Sequence, residues 1–206
     1  MADADQIHRG RKFDQVLEGA REVFLREGFE GASVDDIAKE AGVSKATLYS
    51  YFPDKRLMFL EVAKTECRRQ ADQASEAIDF SQPPEVVLSL AAAQIIDFMA
   101  SELGQGIYRL CVAEAERFPE LGRAFYASGP ALVHEKLMAY LQEAVERGEL
   151  VIDDVDLAAH LFAELCKADL HAKLLFGMEC CSPQEKSRVI RGAVEMFLAR
   201  YGAKRS

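Results

Sequence analysis

From Phe13 to Tyr201 apolar residues return every three or four positions, and no run alternates with polar residues long enough to make a half-buried strand. The chain therefore reads as all-α. A first helix over residues 10–27 lines up Phe13, Val16, Leu17, Ala20, Val23 and Phe24, with Gly28 placed to end it. A second, barely two turns long, is capped by Ser33, carries Asp35 and Asp36 in its first turn and stops at Gly42. A third starts at the cap Ser44 and ends where Pro53 disfavours a helical conformation for Phe52. A longer helix carries Leu57, Leu60, Val62 and Ala63 from Asp54 to Ile78, and "DFSQPPE" breaks the chain after it. Further helices are predicted over 84–103, 105–117, 119–147 with a break at Gly129-Pro130, 155–176 and 184–202. The last opens on "SPQE", with Ser182 as cap, Pro183 at the first helical position and Glu185 closing a capping box.

At 206 residues, half of them hydrophobic, the chain is long enough to bury a sizeable core. Nothing near the N-terminus looks like a signal peptide. The richest apolar run, "LSLAAAQIIDFMA", is interrupted by polar residues and shorter than a membrane span, so a cytoplasmic protein with no membrane partner is expected. Five cysteines, with no CxxC spacing, make a disulfide framework or structural zinc site a poor expectation. The adjacent Cys180 and Cys181 suit a redox or thiophilic-metal sensor, but free cysteines usually serve as small apolar residues.

Residues 42–54, "GVSKATLYSYFPD", look built to present a surface. Leu48 and Phe52 share one side of the short helix and turn with Val34, Ile37, Ala38 and Val43 into a miniature core. Lys45, Ala46, Thr47, Tyr49 and Ser50 are left outward or sideways. Two short helices joined by a tight turn can push one into the major groove of DNA, where lysine, threonine and tyrosine suit phosphates and base edges. The net charge of −9 opposes a polyanion, yet residues 8–12 hold three basic residues and no acid, and Lys45, Lys55 and Arg56 outnumber Asp54 over 45–56. From periodicity alone a helical hairpin with solvated faces is an equal alternative.

The stretch "VFLREGFEGASVDDIAKEAGVSKATLYSYFPDKRLMFLEV" resembles the DNA-binding domain of the TetR family of bacterial transcriptional regulators, the likeness covering residues 11–70. The resemblance implies phosphate contacts from Ser33 and Lys55, base-facing positions at Lys45, Ala46 and Thr47, and backbone contacts from Tyr49 and Tyr51, and the cap residue Ser44 is counted with them as a DNA-binding candidate. Ala46 stands where many members have glycine. It also implies an arm over 1–10 and, over 71–206, a helical effector-binding and dimerisation domain. "LCVAEAERFPELGRAFYASGP" and "KADLHAKLLFG" resemble an AefR-like or AcrR-like subgroup.

A homodimer on a palindromic operator is the expectation, its two reading helices about 34 Å apart. Leu157, Leu161 and Leu165 on one stripe and Ile190, Val194, Phe197 and Tyr201 on another are the candidate dimer residues. Phe98, Met99, Tyr108, Cys111, Phe125, His134, Met138 and Phe162 are candidates for lining an apolar effector pocket between helices. Tryptophan is absent, and arginines stand side by side only at Arg68 and Arg69, which argues against a strongly anionic effector. His160, Glu164 and His171 fall near one face of the 155–176 helix, in the manner of metal ligands, but equally of interhelical hydrogen-bonding groups; no metal or cofactor is expected. The function expected is a repressor released by a small apolar effector. Alternatives are a regulator of the same fold acting through a protein partner, or a metal or redox sensor. An enzyme is not expected: nucleophile elbow, phosphate loop, HExxH and paired ExxH are missing, and Glu114 and Glu116 read as a solvated face.

Overall fold

The structure, a computed structural model, describes residues 10–203, with only the backbone for 70, 71 and 73–77. The predicted arm, Gly10 excepted, lies outside the described residues. In chain order come α1 (Arg11–Gly31), α2 (Val34–Glu40), α3 (Lys45–Tyr51), α4 (Lys55–Ala77), α5 (Pro84–Ala100), α6 (Glu102–Ala113), α7 (Pro119–Ser128), α8 (Pro130–Glu146), α9 (Val155–Lys167), α10 (Leu170–Leu175) and α11 (Pro183–Tyr201). Among the described residues there is no strand, only one antiparallel bridge between Leu150 and Gly202. No single helix among them is long and apolar enough to cross a membrane.

The chain divides into two compact units at three places. The first unit runs to Cys67 and takes in Glu102–Tyr126; the second holds Arg68–Ser101 and the chain from Ala127 onward. In the first, α1 packs on α2 and on α6. Its centre is aromatic: Phe59 meets Phe24 edge-on at 4.8 Å and Phe29 at 5.0 Å, while Phe13 lies 5.4 Å from Phe52. Burying a ring such as Phe24 or Phe59 stabilises by about 2–3 kcal/mol. From α6, Leu103, Ile107 and Leu110 complete this core.

One contact leaves no room for a side chain. A Cβ on Gly19 would sit 2.6 Å from the amide nitrogen and 2.7 Å from the Cα of Ala41, so glycine lets α1 touch the end of α2. Gly28, with φ of 69°, breaks α1 as predicted, but one more turn follows it to Gly31.

In the second unit, α11 packs on α5 and α9, and α8 on α9. Phe162 and Phe197, both fully buried, meet edge-on at 5.2 Å. The capping box at Ser182 forms in both directions, and the break at Gly129-Pro130 separates α7 from α8. The single helix predicted over 155–176 is instead two. Ala168 takes φ of 37°, and the turn that follows lays Leu170 into the core and α10 against α5. No glycine or proline marks that break, because tertiary packing, and not local preference, makes it.

Candidate nucleic-acid interface

Both short helices of the first unit are held by local caps. Ser33 Oγ accepts the Asp36 N–H at 3.1 Å, and Ser44 Oγ accepts the Thr47 N–H at 3.1 Å. Each cap satisfies one of the donors a helix start leaves without a partner and stabilises by about 1 kcal/mol. Between them Gly42 adopts φ of 63°, a conformation that costs other residues energy, and the Gly42 and Val43 amides close the turn on Lys39 and Ala38 carbonyls. Ile37, Ala38, Leu48 and Phe52 are buried beneath this turn as expected, with Val34 and Val43 partly so.

What α3 shows outward follows from that anchoring. Lys45, Ala46, Tyr49 and Ser50 are exposed and Thr47 is half-buried. The Thr47 hydroxyl lies 2.9 Å from Ser44 Oγ, which fixes its rotamer at the helix start. Tyr51 is half-buried, its ring edge-on to Phe13 at 5.8 Å, so its phenol is held close to α1. The face offers an ammonium, a methyl, a hydroxyl and two phenols on a rigid two-turn helix, short and narrow enough for a major groove.

Two cations are engaged in ways the sequence did not suggest. Lys45 Nζ pairs with the Asp35 carboxylate across the turn, both groups exposed. Lys55, expected to meet phosphate, donates to the Phe29 carbonyl at 2.8 Å and the Ala32 carbonyl at 3.1 Å, with its ammonium 4.4 Å from the Phe29 ring centre. It closes the end of α1, and a phosphate would have to compete with those carbonyls. Glu114, read as solvated surface, pairs with Arg56 at 2.9 Å, and the Arg56 guanidinium lies 4.3 Å from the Phe118 ring centre. The same guanidinium hydrogen-bonds the Asp54 carboxyl and holds it below the usual carboxylate range.

The effector candidates are divided between the two units. Tyr108, Cys111 and Phe125 belong to the first unit; Phe98, Met99, His134, Met138 and Phe162 belong to the second. Phe162 is core, while Met99 and Met138 lie partly buried against that core. His134, proposed as a lining residue, turns toward α9 and meets His160, the ring centres 3.9 Å apart. The set His160, Glu164 and His171 is divided by the break at Ala168, and Glu164 pairs with Lys167.

The candidate dimer residues divide likewise. Leu157 and Leu161 are 51% and 44% exposed, and Leu165 and Ile190 are partly so. Val194 and Phe197 are buried in the unit's own core, with Tyr201 packed against it. Met196, 64% exposed, was not singled out, although its place one turn from Gly192 on α11 could have marked it. A groove of about 570 Å³ runs between α9 and α11, lined by Leu161, Leu165, Val189, Met196, Arg200 and Tyr201 among others.

Burial pushes the thiols of Cys67 and Cys166 up to about 12 and that of Cys111 up to about 11. Cys180 Sγ and Cys181 Sγ lie 3.2 Å apart, and burial raises the Cys181 thiol to about 11, away from the thiolate a reactive sensor needs.

A profile of bacterial regulatory proteins of the tetR family matches residues 16–62, and one of the AefR-like transcriptional repressor C-terminal domain matches residues 86–203. Among solved structures, a TetR-family transcriptional regulator from Mesorhizobium loti MAFF303099 is 31% identical, with a TM-score of 0.77, over 96% of this chain and 100% of that one. The flavonoid-responsive regulator FrrA is also 31% identical, with a TM-score of 0.68, over 95% of this chain and 100% of its own. The transcriptional repressor AcnR of Corynebacterium glutamicum is 25% identical over 181 residues, 87% of this chain and 90% of that protein.

Proposed function

We propose, on the premise that this chain belongs to the TetR family of bacterial transcriptional regulators, that it is a homodimeric repressor which a small apolar effector releases from a palindromic operator. The family is one of regulators, not enzymes. The observation that carries the DNA-reading part is the rigidly capped α3, whose outward face holds Lys45, Ala46, Thr47 and Tyr49 over a buried Leu48. In the functional division, residues 11–70 read DNA in the cytoplasm, and 71–206 bind effector and pair with a second copy. Similarity to a repressor, AcnR, favours that sign of regulation. Similarity to FrrA, a flavonoid-responsive regulator, favours an aromatic, largely apolar ligand, suited to the partly buried Phe98, Met99 and Met138. Such a ligand shifts the population toward a conformer whose two reading heads no longer match the operator spacing.

Fluorescence anisotropy against DNA flanking the protein's own gene, with scrambled DNA as control and at several salt concentrations, tests the reading. Tight, salt-sensitive and sequence-selective binding is expected. Thr47→Ala should change preference at one base position per half-site, by about 1–3 kcal/mol. Asp35→Asn should tighten binding to all sequences by roughly two- to fivefold, because it frees Lys45 from an exposed ion pair worth up to about 1 kcal/mol. If neither variant changed binding, α3 would not be the reading helix.

The dimer has its own test. Leu161→Asp or Met196→Asp would bury an unpaired carboxylate at the proposed α9/α11 face, at a cost of at least about 2 kcal/mol, more than tenfold in association. Sedimentation equilibrium should then show monomers where the parent is dimeric. An unchanged dimer would place the interface elsewhere.

A further inference from the structure

Asp156 and His160 sit four residues apart on α9, so their side chains share one face of that helix. The packing of α8 on α9 brings a third group to them. His134 Nε2 lies 3.3 Å from Asp156 Oδ1, and His160 Nδ1 lies 3.9 Å from Asp156 Oδ2. The same two ring nitrogens are 3.3 and 3.0 Å from the Asp156 carbonyl oxygen. One donor atom from each of the three residues falls within 4.8 Å of the others.

We infer that His134, Asp156 and His160 form a binding site for one divalent transition-metal ion of the zinc, cobalt or nickel class. Two imidazole nitrogens and one carboxylate oxygen are the donors such ions prefer, whereas magnesium and calcium select all-oxygen sets. Bonds of about 2.0–2.2 Å in a tetrahedral set place ligand atoms roughly 3.3–3.6 Å apart; the His134 and Asp156 atoms already stand at 3.3 Å, and His160, at 3.9 Å, must close slightly on the ion. It is free to do so: the Asp156 and His160 side chains are 65% and 50% exposed. His134, only 18% exposed, supplies the fixed member. The ring nitrogens exchange their contacts with the Asp156 carbonyl for the metal, and solvent takes the remaining coordination positions. A simple ion pair explains the arrangement less well, since one imidazolium satisfies a carboxylate and two charged rings with centres 3.9 Å apart repel. Because the ligands come from two helices, the bound ion clips α8 to α9. This site belongs to the second unit and holds whether or not the proposed effector exists.

The test is a cobalt(II) titration of the untagged, reduced protein followed by visible absorption, with zinc(II) as competitor and magnesium(II) as control. Expected are one cobalt ion per chain, ligand-field bands without thiolate charge-transfer bands, displacement by zinc and indifference to magnesium. His134→Gln and His160→Gln should each weaken binding by more than about a hundredfold, beyond what loss of an outer-shell partner costs. Both residues lie outside the hydrophobic core, and unchanged far-ultraviolet circular dichroism will show that the fold is kept. No saturable uptake, or uptake unaltered in the double histidine variant, overturns the site. Charge-transfer bands that vanish in Cys180→Ser/Cys181→Ser also overturn it, by moving the metal to the thiols.

Discussion

Gly19→Ala should lower the melting temperature by roughly 6–12 °C and abolish operator binding. Alanine in place of glycine inside a helix ordinarily stabilises by about 0.5–1 kcal/mol. Here the added Cβ meets the backbone of Ala41 at 2.6–2.7 Å, closer than real Cβ contacts come, and a backbone cannot swing aside as a side-chain tip can. Overpacking costs about 1–3 kcal/mol, and this contact belongs at the upper end. At about 2–4 °C per kcal/mol for a chain of this size, the stated fall follows. The functional loss has a separate cause. Relief of the clash pushes the α2 end and the Gly42 turn away from α1, and α3 moves with that turn. Gly122→Ala on α7, where nothing lies within 4 Å of the new methyl group, is the control and should leave stability equal or slightly higher. Thermal denaturation and anisotropy on the two variants together check the prediction; equal behaviour would refute it.

Arg21→Ala should destabilise the first unit by about 3 kcal/mol. Glu66 on α4 is almost fully buried, and Arg21 Nε on α1 donates to its carboxylate at 3.1 Å. Removing one member of such a pair weakens the compensation of a charge held away from water, which costs up to about 3–5 kcal/mol; the lower figure applies because Arg21 is itself 23% exposed and Glu66 keeps another interaction. The hydrogen bond to Glu66 is the largest cause of the raised Arg21 pKa. Glu66→Gln alone should be milder, since an amide is less costly to bury than a carboxylate. In the Arg21→Ala/Glu66→Gln double variant most of the Arg21 penalty should disappear, a coupling of about 1–3 kcal/mol measured by a double-mutant cycle in urea. Additive penalties would mean that Arg21 acts through packing of its stem and not through charge.

Local chemistry explains which features could be read from the chain. The caps at Ser33, Ser44 and Ser182, the turn at Gly42 and the stop at Pro53 each act within four residues, and each predicted the helix boundary found. The Gly129-Pro130 break is of the same kind. Gly19 looked like any helical glycine, because the Ala41 backbone that requires it is 22 residues away. The Ala168 break lies among good helix formers and arises from how Leu170 packs. His134 could not be matched with Asp156 and His160 before α8 was known to lie on α9. Among the effector candidates, apolar character was visible, but membership of one unit or the other was not. The resemblance gives Lys55 to phosphate; its two carbonyl partners, Phe29 on α1 and Ala32 just beyond its end, are 26 and 23 residues distant.

The non-contiguous make-up of the first unit bears on how this protein is born on the ribosome. Its core needs Leu103, Ile107 and Leu110 from α6, and Gly106 sits with its would-be Cβ only 3.1 Å from the Phe59 ring. A nascent chain cut near residue 70 carries all the DNA-reading residues, yet it leaves Phe24 and Phe59 partly uncovered. Elongation at about 5–20 residues per second therefore delays completion of that unit by several seconds, until α7 has emerged. During that interval the N-terminal helices are a natural client for chaperones, and a shortened head piece expressed alone should be sticky instead of independently stable.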